Sequence, residues 1–120
     1  MSASLYDRLG GAAGIAALVD DVMTAHLSNP VVQPRFRNIK DLEHAKKMAR
    51  EFFCAGSGGP EAYTGRDMLT THRGMNISEQ EYLAVMDDIM GALEAHQIDE
   101  ASKKDVLAIL YSLKGQIIRT

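Results

Sequence analysis

Between Gly11 and Asn29 the residues Ile15, Leu18, Val19, Val22, Met23 and His26 recur at steps of mostly three or four. That spacing draws one stripe along a helix. It does not suit a strand, whose side chains alternate faces at every residue. The pattern returns three more times. Leu42, Ala45, Met48, Ala49, Phe52 and Phe53 face one way, with Glu43, Lys46, Lys47 and Arg50 on the other side. Tyr82, Val85, Met86, Ile89, Met90 and Leu93 make a third stripe, and Val106, Ile109, Leu110, Leu113 and Ile117 a fourth. Helices with one apolar face are marginal alone and must share a core. No alternating segment and no internal repeat competes with this reading. At 120 residues the chain is expected to be a single all-α domain spanning 1–120.

Local signals set the expected boundaries. Gly10-Gly11 precedes the first long helix and Asn29-Pro30 ends it. Asp41 can cap the second, and Ser78 with Glu81 spells a capping box for the third. The last helix is expected to start after Ser102. Between the second and third lies 56-GSGGPEAYTG-65, whose four glycines and proline cannot continue a helix. The irregular gap, from residue 54 to about 66, is long for a compact domain and needs something to pack on.

Composition removes several functions. A net charge of -3 and a pI near 5.7 disfavour nucleic acid. The single cysteine, Cys54, excludes an internal disulfide, a zinc ribbon and a C-x-x-C-H haem attachment. Set among Phe52, Phe53 and Ala55, it reads as an inert buried thiol rather than a nucleophile. The start MSASLYDRLGG lacks the features of a signal peptide, and no apolar run is long enough to span a membrane. A cytoplasmic protein is expected. No phosphate loop and no H-E-x-x-H occur. Asp20-Asp21 and Asp87-Asp88 read as solvated faces opposite the apolar stripes.

The histidines stand singly at 26, 44, 72 and 96. His72 lies in 68-MLTTHRGMNI-77, between Met68 and Leu69 on one side and Met75 and Ile77 on the other. On the residues alone it is either a satisfied structural histidine or a ligand, for example of haem iron. Seven methionines are likewise plain core or a soft lining for a flat ligand.

Five segments together resemble a known family. They are 5-LYDRLGG-11, 51-EFF-53, 58-GGPEAYTG-65, Met68 with His72, and Ile77. In this order and spacing they resemble the truncated haemoglobins of group I, from about residue 4 to about 115. The resemblance implies a truncated globin fold, a two-over-two helical sandwich around non-covalent haem b. It makes His72 the proximal iron ligand, with Met68 and Thr71 on that side of the haem and Met75 and Ile77 at its edge. The glycine loop would stand in loosely for a proximal helix and pack on haem. Phe36 would wedge against the porphyrin, Phe52 and Phe53 would form the distal aromatic pair, and Arg66 and Lys47 would reach propionates. No histidine follows His96, so the covalent haem linkage some relatives make from the last helix is expected to be absent. The implied partners are the diatomic gases O2, NO and CO and an unidentified reductase or electron donor. No nucleic-acid or membrane partner is implied, and the protein would be a monomer or weak homodimer.

The departures matter more. The family's distal tyrosine, which donates to iron-bound oxygen, is replaced by Met23, and its glutamine positions hold Ala45 and Ala49. A further distal position, where some relatives place a histidine or lysine on the iron, holds Met48. Three readings follow: a gas-handling globin, with nitric-oxide or peroxide chemistry as a side activity; a six-coordinate His/Met redox or sensing protein ligated by Met48 or Met23; and a haemless helical interaction module.

Overall fold

The computed structural model describes residues 4–37, 39, 41–65 and 68–119. These form α1 (Leu5–Arg8), α2 (Gly11–Ser28), α3 (Gln33–Phe36), α4 (Leu42–Gly56), α5 (Met68–His72), α6 (Glu79–Ala95) and α7 (Glu100–Ile117). The caps follow the sequence signals closely. Asp41 accepts the amide of His44 at 3.0 Å. Ser78 and Glu81 exchange both bonds of a capping box, at 3.0 and 3.1 Å. Two boundaries differ from expectation. The last helix starts at Glu100, because Asp99 takes the cap: its carboxylate accepts the Ser102 amide at 3.1 Å and the Ser102 hydroxyl at 2.7 Å. And α4 runs through Cys54 to Gly56, so the irregular stretch begins only at Ser57.

The long helices pack in two layers. α2 lies against α4 and α6, and α7 lies against α5 and α6. Asp21 of α2 bonds His96 beyond the end of α6 at 2.5 Å, and His26 of α2 bonds Asp88 at 2.7 Å. These pairings fix α2 and α6 as antiparallel. The Tyr82 hydroxyl donates to the Leu110 carbonyl, and Lys103 pairs with Glu94, which makes α6 and α7 antiparallel as well. Asp88 is therefore not on a solvated face. A strict reading of the stripe missed that a residue at its margin can be drawn in by a partner on another helix. Among the described residues no helix is long and apolar enough to cross a membrane.

The apolar residues divide into two clusters. The larger gathers Leu5, Leu9, Ile15, Val19, Leu93 and Val106 among others, and the smaller holds Ile77, Tyr82 and Ile117 with Met68, Met75 and Leu113 against them. A single backbone bridge pairs Ile77 with Ile118, the Arg119 amide donating to the Ile77 carbonyl at 3.0 Å. It pins the chain just beyond α5 to the end of α7.

Candidate functional site

A cavity of about 320 Å³ borders both clusters. It falls in the range of small-molecule and cofactor sites. From α4 it receives Ala45, Met48, Ala49, Phe52 and Phe53; from α5 and the turn after it, Met68, Thr71, His72, Met75 and Ile77; from α3, Phe36. The stripe of α4 explains why a cavity forms at all. Of the fifteen residues in that helix only Cys54 is buried, and the stripe it was built to bury stays half-exposed. Ala49 and Phe53 pack against the larger cluster, and the same face, with Ala45, Met48 and Phe52, borders the cavity.

His72 is the one histidine lining the cavity. Its Nδ1 sits 2.8 Å from the Met68 carbonyl oxygen. A carbonyl only accepts, so Nδ1 donates, and in the neutral ring the lone pair is therefore on Nε2. A neutral imidazole with a fixed tautomer in an apolar hollow has the donor chemistry of an axial haem ligand, and the surrounding carbon suits a porphyrin face. The residues present fit that group. His26 and His96 are committed to Asp88 and Asp21. His44 lines a separate polar hollow beside the cavity, together with Lys47, Thr64 and Gly65.

Three expected site residues are placed otherwise or not at all. Met23 is buried at 4% exposure within α2 but does not line the cavity. A residue of the α2 stripe packs inward among the helices, and Phe36 of α3 stands at the wall instead. Lys47 lines the polar hollow, not the apolar cavity. Arg66 lies outside the described residues. Met48 lines both spaces, as do Ala45, Tyr63 and Thr71.

Several lining residues escaped the sequence. Tyr63 packs edge-on against Phe52, ring centroids 5.4 Å apart, and Phe52 against Phe53 at 6.5 Å. The loop is also tied to protein. Glu51 accepts both the amide and the hydroxyl of Thr64, at 2.9 and 2.6 Å, and Tyr6 donates to Glu61 at 2.7 Å. It is thus anchored to α1 and α4 rather than resting on a cofactor alone. The tyrosine within the glycine motif was the available signal. Cys54 is buried and free, and burial pushes its thiol pKa up, with Glu61 adding to the effect. It is poorly suited to nucleophilic work.

Arg35 and Glu81 were missed as well. The guanidinium grips the carboxylate at 2.6 and 3.1 Å at the cavity wall, 46 residues apart in sequence. Its hydrogen bonds hold the Glu81 carboxyl down to about 2 from an ordinary 4.5. A carboxylate with a lowered folded pKa stabilises above its unfolded value, and that contribution fades as pH falls from 4.5 toward 2. Arg35→Met is therefore expected to lower the melting temperature at neutral pH and to flatten its fall across that acid window. Thermal melts of both proteins at a series of pH values check it; parallel curves would refute it.

Residues 4–119 match the bacterial-like globin family. The group 1 truncated haemoglobin of Tetrahymena pyriformis is 28% identical over 115 residues, covering 87% of this chain and 94% of the relative. That of Mycolicibacterium paratuberculosis is also 28% identical, covering 96% and 84%. In structure, the ferric Tetrahymena pyriformis protein superposes with a TM-score of 0.93 at 23% identity, over 98% of this chain and all of that one. The 2/2 haemoglobin of Synechococcus sp., in its cyanomet state with covalently attached haem, gives 0.86 at 24% identity over 95% of each chain. The chain belongs to the bacterial-like globin family, and both its sequence and its fold are similar to those of the group 1 truncated haemoglobins.

Proposed function

We propose that this chain binds haem b non-covalently, with His72 Nε2 as the protein's iron ligand, and handles diatomic gases in a pocket walled by α4. The observation that carries this is the placement of His72: its Nδ1 is bonded to the Met68 carbonyl, and the ring lines an apolar cavity, so that the neutral ring has its lone pair on Nε2. When bound, haem would supply an iron able to take a protein ligand and a gas, and a reversible ferric–ferrous couple. The Met68 bond orients the imidazole and raises its basicity, which strengthens ligation. Met68, Met75, Ile77 and Phe36 give apolar contact. Thr71 is a polar side chain within the same lining that suits the cofactor's carboxylates.

α4 decides which gases are favoured. Ala45, Met48, Ala49, Phe52 and Phe53 offer carbon and sulfur and no N–H or O–H donor. The Tyr82 hydroxyl is already given to Leu110 and the Arg35 fork to Glu81. Oxygen needs a donor to be held for long, whereas carbon monoxide and nitric oxide do not. The α4 wall suits the latter two, while Tyr63 and Thr71 bring hydroxyls to the same lining. Nitric-oxide or peroxide turnover with an external reductase remains a side activity of this reading.

A second reading rests on Met48, which lines the cavity and carries a soft, flexible thioether. Ligation by its sulfur would make a His/Met pair with a raised reduction potential. Met23, away from the lining, is the weaker candidate. A haemless module is disfavoured, because the cavity and the half-exposed α4 residues that line it would then stand unfilled. One experiment orders the three: absorption spectra of the purified protein, ferric and ferrous, for wild type and Met48→Leu. Six-coordinate ferrous spectra that turn five-coordinate in Met48→Leu, with faster carbon monoxide association, support Met48. A wild-type ferrous form already five-coordinate leaves the open gas site. A colourless protein that takes up no added haem refutes both haem readings.

A further inference from the structure

His26 belongs to the apolar stripe of α2, where a leucine would serve as filler. It is 4% exposed, and its Nδ1 lies 2.7 Å from Oδ2 of Asp88 on α6. Asp88 is itself only 12% exposed at its side chain and accepts the Asn29 amide group as well, at 3.1 and 3.3 Å. The other surface of the imidazole is occupied. Phe36 stacks on it, centroids 4.9 Å apart and planes 29° off parallel, and Phe36 lines the cavity. One buried histidine thus connects a carboxylate on α6 to an aromatic wall of the site.

We infer that His26 and Asp88 are positioning residues for Phe36: their buried pair holds that wall of the cavity, and protonation of His26 loosens it. A carboxylate accepts only, so the neutral ring donates from Nδ1 and any further proton goes to Nε2. The imidazolium this creates is a charge among apolar neighbours. Around it, α6 supplies Asp88 and α3 supplies Arg35, a cation already held by Glu81. The α4 cation that reaches α2, Lys46, ends on Asp20, and Arg8 of α1 ends on Asp105. Asp88 alone compensates the new charge. Burial, the larger effect, pushes the His26 pKa below 6.5, and Asp88 opposes it in part. Because the folded pKa is lowered, the stabilising effect of neutral His26 is complete above 6.5 and is lost as pH falls below it. The ring then gains by turning toward water, and Phe36 loses its support. The consequence for haem rests on the reading above; the coupling of the two rings does not.

The test is aromatic NMR of the purified protein, reduced under carbon monoxide so that any haem is diamagnetic, between roughly pH 7.5 and pH 5. In wild type the Phe36 ring resonances are expected to step with the His26 titration. Asp88→Asn keeps an acceptor but removes the charge, so both steps move together to lower pH. His26→Gln keeps a donor and abolishes the Phe36 step; if that variant folds poorly, the Asp88→Asn shift carries the test. Haem transfer to an acceptor globin should quicken through the same step in wild type and lose that component in His26→Gln. Phe36 resonances that stay still while His26 titrates, or that step in His26→Gln, overturn the inference. A colourless protein showing the coupled step would sink the haem reading alone.

Discussion

Replacing His72 with alanine is expected to abolish stable haem retention. The apolar lining would still attract a porphyrin, but no other histidine lines the cavity, and the three others are paired elsewhere or face the polar hollow. The iron would lose its one protein ligand on that side. A ligand that binds only the folded state stabilises it by about 4 kcal/mol at a thousandfold over its dissociation constant. His72→Ala should therefore melt in the presence of haem close to where the wild-type apoprotein melts. Haem content by pyridine haemochrome and melting with and without haem check this, and added imidazole should restore part of the spectrum. Full haem content with an unchanged spectrum in His72→Ala would overturn the assignment.

Gly14→Ala is expected to be strongly destabilising for a single added methyl. A Cβ there would stand 2.4 Å from the Leu9 carbonyl oxygen and 3.2 Å from its carbon, both backbone. Gly10, at φ 97°, brings the chain round so tightly that α1 and α2 meet there, and Leu9 is 3% exposed in the core. Neither side can yield cheaply. Overpacking of this kind costs about 3 kcal/mol or more, roughly 10 °C or more of melting temperature for a domain of this size. Gly91→Ala is the internal control. It lies within α6 with nothing inside 4 Å of an added Cβ, and should stabilise by about 0.5–1 kcal/mol through helix propensity. Equal melting temperatures for the two variants would remove the steric argument.

Of these two experiments, one touches a residue the sequence marked and the other a residue it did not. His72 was legible because a lone histidine between Met68 and Met75 is unusual chemistry in an apolar context. The helix caps at Asp41 and Ser78 were legible because a cap is settled within four residues. Gly14 carried no signal: only the approach of α1 makes its missing Cβ necessary. The cap at Asp99 was passed over for Ser102, two adequate candidates that local propensity does not rank.

What the sequence determined by itself was the set of helices, their apolar faces, and a lone histidine set among apolar residues, which only the family resemblance read as an iron ligand. These follow from periodicities of three and four residues and from residue chemistry, which act over a turn or two of chain. What only the tertiary structure decided was which faces meet. It left the α4 stripe half-exposed at the cavity, kept Met23 out of the lining, sent Lys47 to a neighbouring hollow and drew Asp88 inward to His26. It also joined Arg35 to Glu81 and Phe36 to His26. Such contacts depend on how one helix is rotated against another. That rotation is fixed by the summed packing of many side chains, which no local stretch of the chain encodes.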